Sequence, residues 1–138
     1  MIRRLKSKWL LSLIVLAVYP AFVLGYVWYH CLVSDFQGGK NGQLDAYRHT
    51  LASAVVTYTS SSKLVAVATA VMERKSKPAN LMDRHNNLIG VDIGETATSF
   101  SQINGLVLQR VNQGAESAVE ASQVTWLATP YWEKSLFW

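Results

Sequence analysis

The stretch Gln43-Leu44-Asp45-Ala46-Tyr47-Arg48-His49-Thr50-Leu51-Ala52-Ser53-Ala54-Val55-Val56-Thr57-Tyr58 decides the fold. Tyr47, Leu51, Val55 and Tyr58 recur at steps of four and three, the period of one helix face, and Asn41 stands where an N-cap belongs. The same turn sets Asp45, Arg48 and His49 at i, i+3 and i+4, so an acid, a guanidinium and an imidazole share a face. Helical elements are expected on both sides. Lys63 to Lys75 is apolar nearly all round and rich in small residues (Ala66, Ala68, Ala70), stopped by the basic run Arg74 to Lys77 and by Pro78. Strand is the alternative for Leu64 to Val71, but length and alanine content favour helix. Asn80 to Gly94 reads as a short helix opened by Asp83 as N-cap and closed near Gly90, with a turn through Asp92 and Gly94. Thr96 to about Asn112 is a further helix carrying Phe100, Ile103, Val107 and Arg110 in register, and Glu116 to Leu127 a last one after the break at Gly114. With no repeat and no period-two pattern, the fold class is all-α, a small helical bundle.

Toward the N-terminus, Trp9 to Tyr29 is a run of 21 residues without a charge. At 1.5 Å per residue such a helix is roughly 30 Å long, the thickness of the bilayer hydrocarbon, so residues 9–29 are expected to engage the lipid bilayer as a span. A cleaved signal peptide is the competing reading, disfavoured because the apolar run exceeds an h-region and no small-x-small site follows it. Arg3, Arg4, Lys6 and Lys8 precede the span, which places the N-terminus in the cytoplasm and the remaining chain in the periplasm or outside the cell, anchored in a bacterial inner membrane. Those four cations account for the whole net charge of +4: beyond Lys8, nine Lys and Arg face nine Asp and Glu. A neutral body without a basic stripe argues against nucleic acid as a partner. Cys31 is the only cysteine, so no intrachain disulfide forms.

The expected organisation is a basic stub and anchor over 1–30, a Gly-rich linker over 31–42, a helical domain over 43–128 and an aromatic tail over 129–138. Five aromatics, Trp126, Tyr131, Trp132, Phe137 and Trp138, gather near the C-terminus, where they are expected to meet the bilayer or a protein partner.

Three polar islands interrupt this apolar chain. Asp45 and His49 can form an acid-oriented imidazole for proton transfer or metal binding, and Arg48 can grip a carboxylate or phosphate oxygen. An i,i+4 pair can also be a plain surface stabiliser. Glu73 ends an apolar helix, where an acid opposes the macrodipole, which argues for a role in the site rather than at an exposed end. Asp83 has capping as its competing role, and Asn86 and Asn87 are costly inside an apolar helix unless a polar network takes them up. For His30 and His85 ordinary packing is the simpler reading. Asp45, His49, Glu73 and Asp83 could converge as metal ligands, though their spacing does not demand it, so metal and cofactor stay unassigned. No His-Glu-x-x-His, Walker loop, Gly-x-Ser-x-Gly or dinucleotide fingerprint is present.

The order Asp-x-x-Arg-His, an alanine-rich helix ending in Glu, then Met-Asp-x-x-Asn-Asn-x-x-Gly resembles an uncharacterised bacterial domain family of secreted, surface and polymorphic-toxin-like proteins. That family's pattern runs Asp-Ala-Phe-Arg-His, Ala-x-x-His-Glu, Met-Asp-x-x-Asn-Asn-x-x-Gly, and the resemblance covers Asp45 to about Gly94. Met72 stands where the family usually has histidine, which removes one metal or relay group. The motif positions implied are Asp45, Arg48, His49, Glu73, Asp83, Asn86, Asn87 and Gly90; no reaction comes with them. The combined expectation is an envelope-directed hydrolase or transferase acting on peptidoglycan or phospholipid. His49 would be the base, Asp45 its orienting group and Glu73 the partner acid, with Arg48 and Asn87 holding developing charge. The alternative is a non-catalytic structural or docking component of an envelope or secretion complex.

Overall fold

The helix that carries Asp45 lies at the centre of the molecule. In a computed structural model, which describes residues 2–72 and 77–134, the chain forms α1 (Ile2–Val33), α2 (Gln43–Thr59), α3 (Ser62–Met72), α4 (Pro78–Thr96) and α5 (Phe100–Asn112). Two two-residue strands follow, β1 (Ala115–Glu116) and β2 (Thr125–Trp126), then a 3₁₀ turn at Thr129–Tyr131. The all-α expectation stands, with one apolar N-terminal helix and a bundle behind it. Buried residues appear on nearly every side of α2, from Leu44 through Tyr47, Leu51 and Val55, because the other four helices surround it.

Two contacts fix how α1 and α2 run. Tyr19 Oη lies 2.8 Å from Thr59 Oγ1, and the Trp28 ring lies 5.5 Å from the Arg48 guanidinium, so the helices are antiparallel. Val23, Val27 and Cys31, one turn apart, enter the core with Leu51, Val55, Ile103 and Val107. The preceding stretch of α1 keeps Trp9, Leu11, Leu13, Leu16 and Val18 on its surface. Leu11–Val33, with mean hydropathy 2.0, is long and apolar enough to cross a bilayer.

α4 is one continuous helix of 19 residues rather than a short helix and a turn. Pro78 occupies its first turn, where a missing N–H costs nothing, and Asp83 sits well inside it instead of capping it. Gly90 and Gly94 do not end it; they are where it touches α2. A Cβ on Gly90 would lie 2.4 Å from the Thr50 carbonyl oxygen, and one on Gly94 2.6 Å from that of Ala54. These contacts run in the same order along both helices, so α4 is parallel to α2.

Between Gly114 and Leu127 the expected last helix is absent. Its helix-forming residues yield to tertiary contacts: Val124, Thr125 and Trp126 are buried, and β2 pairs with β1 in parallel, Ala115 opposite Thr125 and Glu116 opposite Trp126. Trp126 is therefore core. Trp132 also packs inward, its Nε1 donating to the Leu127 carbonyl at 2.6 Å, while Phe137 and Trp138 lie outside the described residues. The Gly-rich connector is fastened to this end of the chain: Lys40 and Glu133 exchange backbone hydrogen bonds, and Leu127 N–H donates to the Asn41 carbonyl.

Candidate active site

The start of α2 is built to hold an acid. Asn41, expected to cap with its side chain, instead takes φ 64° and turns its backbone N–H onto Asp45 Oδ2 at 2.6 Å. Its side chain bonds the Tyr131 carbonyl instead. Asp45 Oδ1 accepts from the Arg48 guanidinium, which stacks on Trp28, and both side chains are almost wholly buried. Such a pair costs desolvation on both partners and persists because each charge is met.

His49, one turn on, is the meeting point of the two helices. Its Nε2 lies 3.5 Å from Asp45 Oδ1 and 3.5 Å from Asp83 Oδ1 of α4. His49 and Asp83 keep 15% and 14% of their side-chain surface, against 5% and 4% for Arg48 and Asp45, so the cluster has a sealed half and a half that reaches its edge. Burial pushes the imidazole below its ordinary value; Asp45 pulls it up, Arg48 pushes it down, and a hydrogen bond with Asn87 favours the proton. Burial prevails and the ring is neutral near pH 7.

Asn87, one turn beyond Asp83, accepts from Ser53 Oγ at 2.9 Å and donates to Thr69 Oγ1 at 3.0 Å, joining α2, α3 and α4 at one amide. Ser53 and Thr69 were missed in the sequence. The signal for Ser53 was present, since it continues the i, i+4 row from Asp45 and His49; Thr69 has no such signature. Asn86 does not join the site. Its amide donates to the Thr125 carbonyl at 2.8 Å and accepts the Thr125 N–H at 3.0 Å, holding β2 on a neighbouring face of α4. His85 works with it, its Nε2 2.7 Å from the Gln123 carbonyl. Of the expected site residues, Asp45, Arg48, His49, Asp83 and Asn87 come together; Glu73 lies outside the described residues.

One carboxylate oxygen each from Asp45 and Asp83 and a His49 nitrogen lie within 4.8 Å of one another, and these three could hold a divalent cation. Without one, they make a neutral imidazole between two carboxylates, suited to moving a proton.

All five of these residues fall within residues 31–119, which match the family model of a domain of unknown function (DUF6973). The chain belongs to that family. The DUF6973 match begins at Cys31, in the last turn of α1, and runs through α5 and β1, so it contains the α2–α4 seam entire. No curated protein and no solved structure matches the chain.

Proposed function

We propose that this DUF6973 protein is a membrane-tethered enzyme of the bacterial envelope that hydrolyses or transfers a group on peptidoglycan or phospholipid. The observation that carries the reading is the placing of His49 Nε2 3.5 Å from each of two carboxylates, on different helices, at the edge of the buried cluster. His49 takes the proton of the attacking water or hydroxyl as its oxygen bonds the electrophilic centre, and the proton then passes to the leaving group. Asp45 fixes the ring, and Asp83 is the second carboxylate, which steadies the imidazolium formed when His49 takes the proton. Asn87 is the donor for developing negative charge. Arg48, bound to Asp45 beneath Trp28, supports Asp45 instead of meeting substrate. The four N-terminal cations and the apolar helix support a cytoplasmic N-terminus and an extracytoplasmic domain.

The test is product formation by the full chain in lipid nanodiscs, with peptidoglycan sacculi and phospholipid vesicles as substrates. His49→Gln and Asp83→Asn should each lower turnover by roughly 10²–10⁴ while leaving the melting transition in place. The sealed Asp45–Arg48 pair supports a second reading, a packing lock in a non-catalytic envelope component. In that case the variants unfold and the wild type turns nothing over. Reporter fusions at the C-terminus test topology: a periplasmic phosphatase should be active and a cytoplasmic fluorophore dark.

A further inference from the structure

Between α3 and α4 runs a groove of about 720 Å³, walled by Val65, Ala66, Ala70, Leu88 and Val91, with Asn87 on its lining. That volume lies in the range of about 300–1,000 Å³ typical of small-molecule sites. The direction of the groove follows from the parallel run of α2 and α4. Its Arg84–Asn87 end lies beside the His49–Ser53 turn, and its Glu95 end beside Thr57 and Thr59. This second end is the one that Tyr19 ties to α1, and there the rings of Phe22, Tyr26 and Tyr58 gather around Phe100 at 5.0–6.2 Å. From Trp9 to Phe22 or Tyr26 is roughly 20–26 Å of helix, somewhat less than the roughly 30 Å of bilayer hydrocarbon. If Trp9 marks one interface, this aromatic collar falls at or just below the other, where such rings concentrate. The domain then sits flush on the membrane, with the collar end of the groove at the leaflet surface. Around the groove, Leu64, Val67 and Leu88 are exposed by 44, 60 and 69%.

We propose that this groove takes one acyl chain of a bilayer lipid, which makes a lipid, not a glycan or peptide, the substrate class of the site. The inference rests on the membrane-tethered reading above. A lipid drawn in headgroup first brings its ester or phosphate to Asn87, whose amide bonds Ser53 and Thr69 and meets His49, while its acyl chain lies along the groove back to the collar. Among the described residues, Lys63, Arg84 and Glu95 carry the charge along the groove.

The experiment uses the full chain in phosphatidylglycerol nanodiscs doped with a phospholipid bearing a diazirine on one acyl chain, with cross-linked peptides mapped after irradiation. Adducts are expected on α3 and α4 groove residues. They should fall about tenfold or more in Ala70→Trp, which fills the groove, and in Leu88→Asp, which charges its exposed edge without touching the core. His49→Gln should keep them. Adducts confined to α1, or groove adducts indifferent to both variants, would overturn the proposal. Groove adducts without lipid turnover would sink the catalytic reading, and with it lipid as substrate, while upholding the groove as the acyl-chain site; turnover of peptidoglycan without groove adducts would uphold the catalytic reading and overturn this proposal.

Discussion

Replacing Gly90 by alanine tests the seam between α2 and α4 most directly. The added Cβ would lie 2.4 Å from the Thr50 carbonyl oxygen, a full ångström inside the 3.4 Å where ordinary contact begins, and 2.7 Å from Ser53 Cβ. Neither neighbour is the loose end of a flexible side chain, so α4 must move away from α2. Overpacking of this kind costs about 1–3 kcal/mol, and a backbone obstacle puts Gly90 near the top of that range. Alanine returns about 0.5–1 kcal/mol by stiffening the unfolded chain, leaving a net loss of about 2 kcal/mol. Gly105→Ala is the matched control, since it lies inside α5 with nothing within 4 Å of its added Cβ; it should gain about 0.5–1 kcal/mol. At roughly 4 °C per kcal/mol, thermal melts should place Gly90→Ala about 8 °C below wild type and Gly105→Ala slightly above it. A Gly90→Ala protein that melts with or above wild type would refute the close approach, and with it the distances from His49 to Asp83.

Two further outcomes follow from the same geometry. Asn86→Ala strands the buried N–H and C=O of Thr125, at about 1–3 kcal/mol each, so urea unfolding should show a loss of about 2–6 kcal/mol and the Thr125 amide should exchange faster; a loss under about 0.5 kcal/mol would mean that water replaces the clamp. For pH, the folded His49 titrates below its ordinary 6.5, so during acidification the unfolded chain takes up this proton first. Stability is therefore full above pH 6.5 and declines below it, by at most about 1.4 kcal/mol per pH unit, until the folded ring also protonates. His49→Gln should remove that decline from the stability–pH curve, and equal slopes in variant and wild type would place the ring in water.

Much of the site was legible because its rows follow helical arithmetic: Asp45, His49 and Ser53 recur every four residues, as do Asp83 and Asn87. α4 was harder to see. Gly90 and Gly94 carry the same letters as a helix stop, and only the presence of α2 against them turns a breaker into a close contact. The role of Asp83 changed with them, since a helix beginning at Pro78 leaves no cap for it to supply. The segment after Gly114 misled for a different reason. Ala115, Glu116, Ala118, Glu120 and Ala121 favour helix locally, but β1 and β2 are two residues each, stabilised by partners about forty positions away on α4 that no window along the chain contains. Arg48 looked like a group for holding substrate because its partner sits on its own helix, and its burial under Trp28 depends on the docking of α1.

Asn86 and Asn87 are neighbours whose side chains leave α4 about 100° apart. One is held by the backbone of Thr125, the other by hydroxyls of Ser53 and Thr69. Held from these two directions, they deny α4 the freedom to roll about its own axis. The angle at which Asp83 faces His49 is thereby set partly from the β2 side of the helix. A strain on the 117–123 loop would reach the imidazole as torque, through the turn of α4 that Asn86 holds.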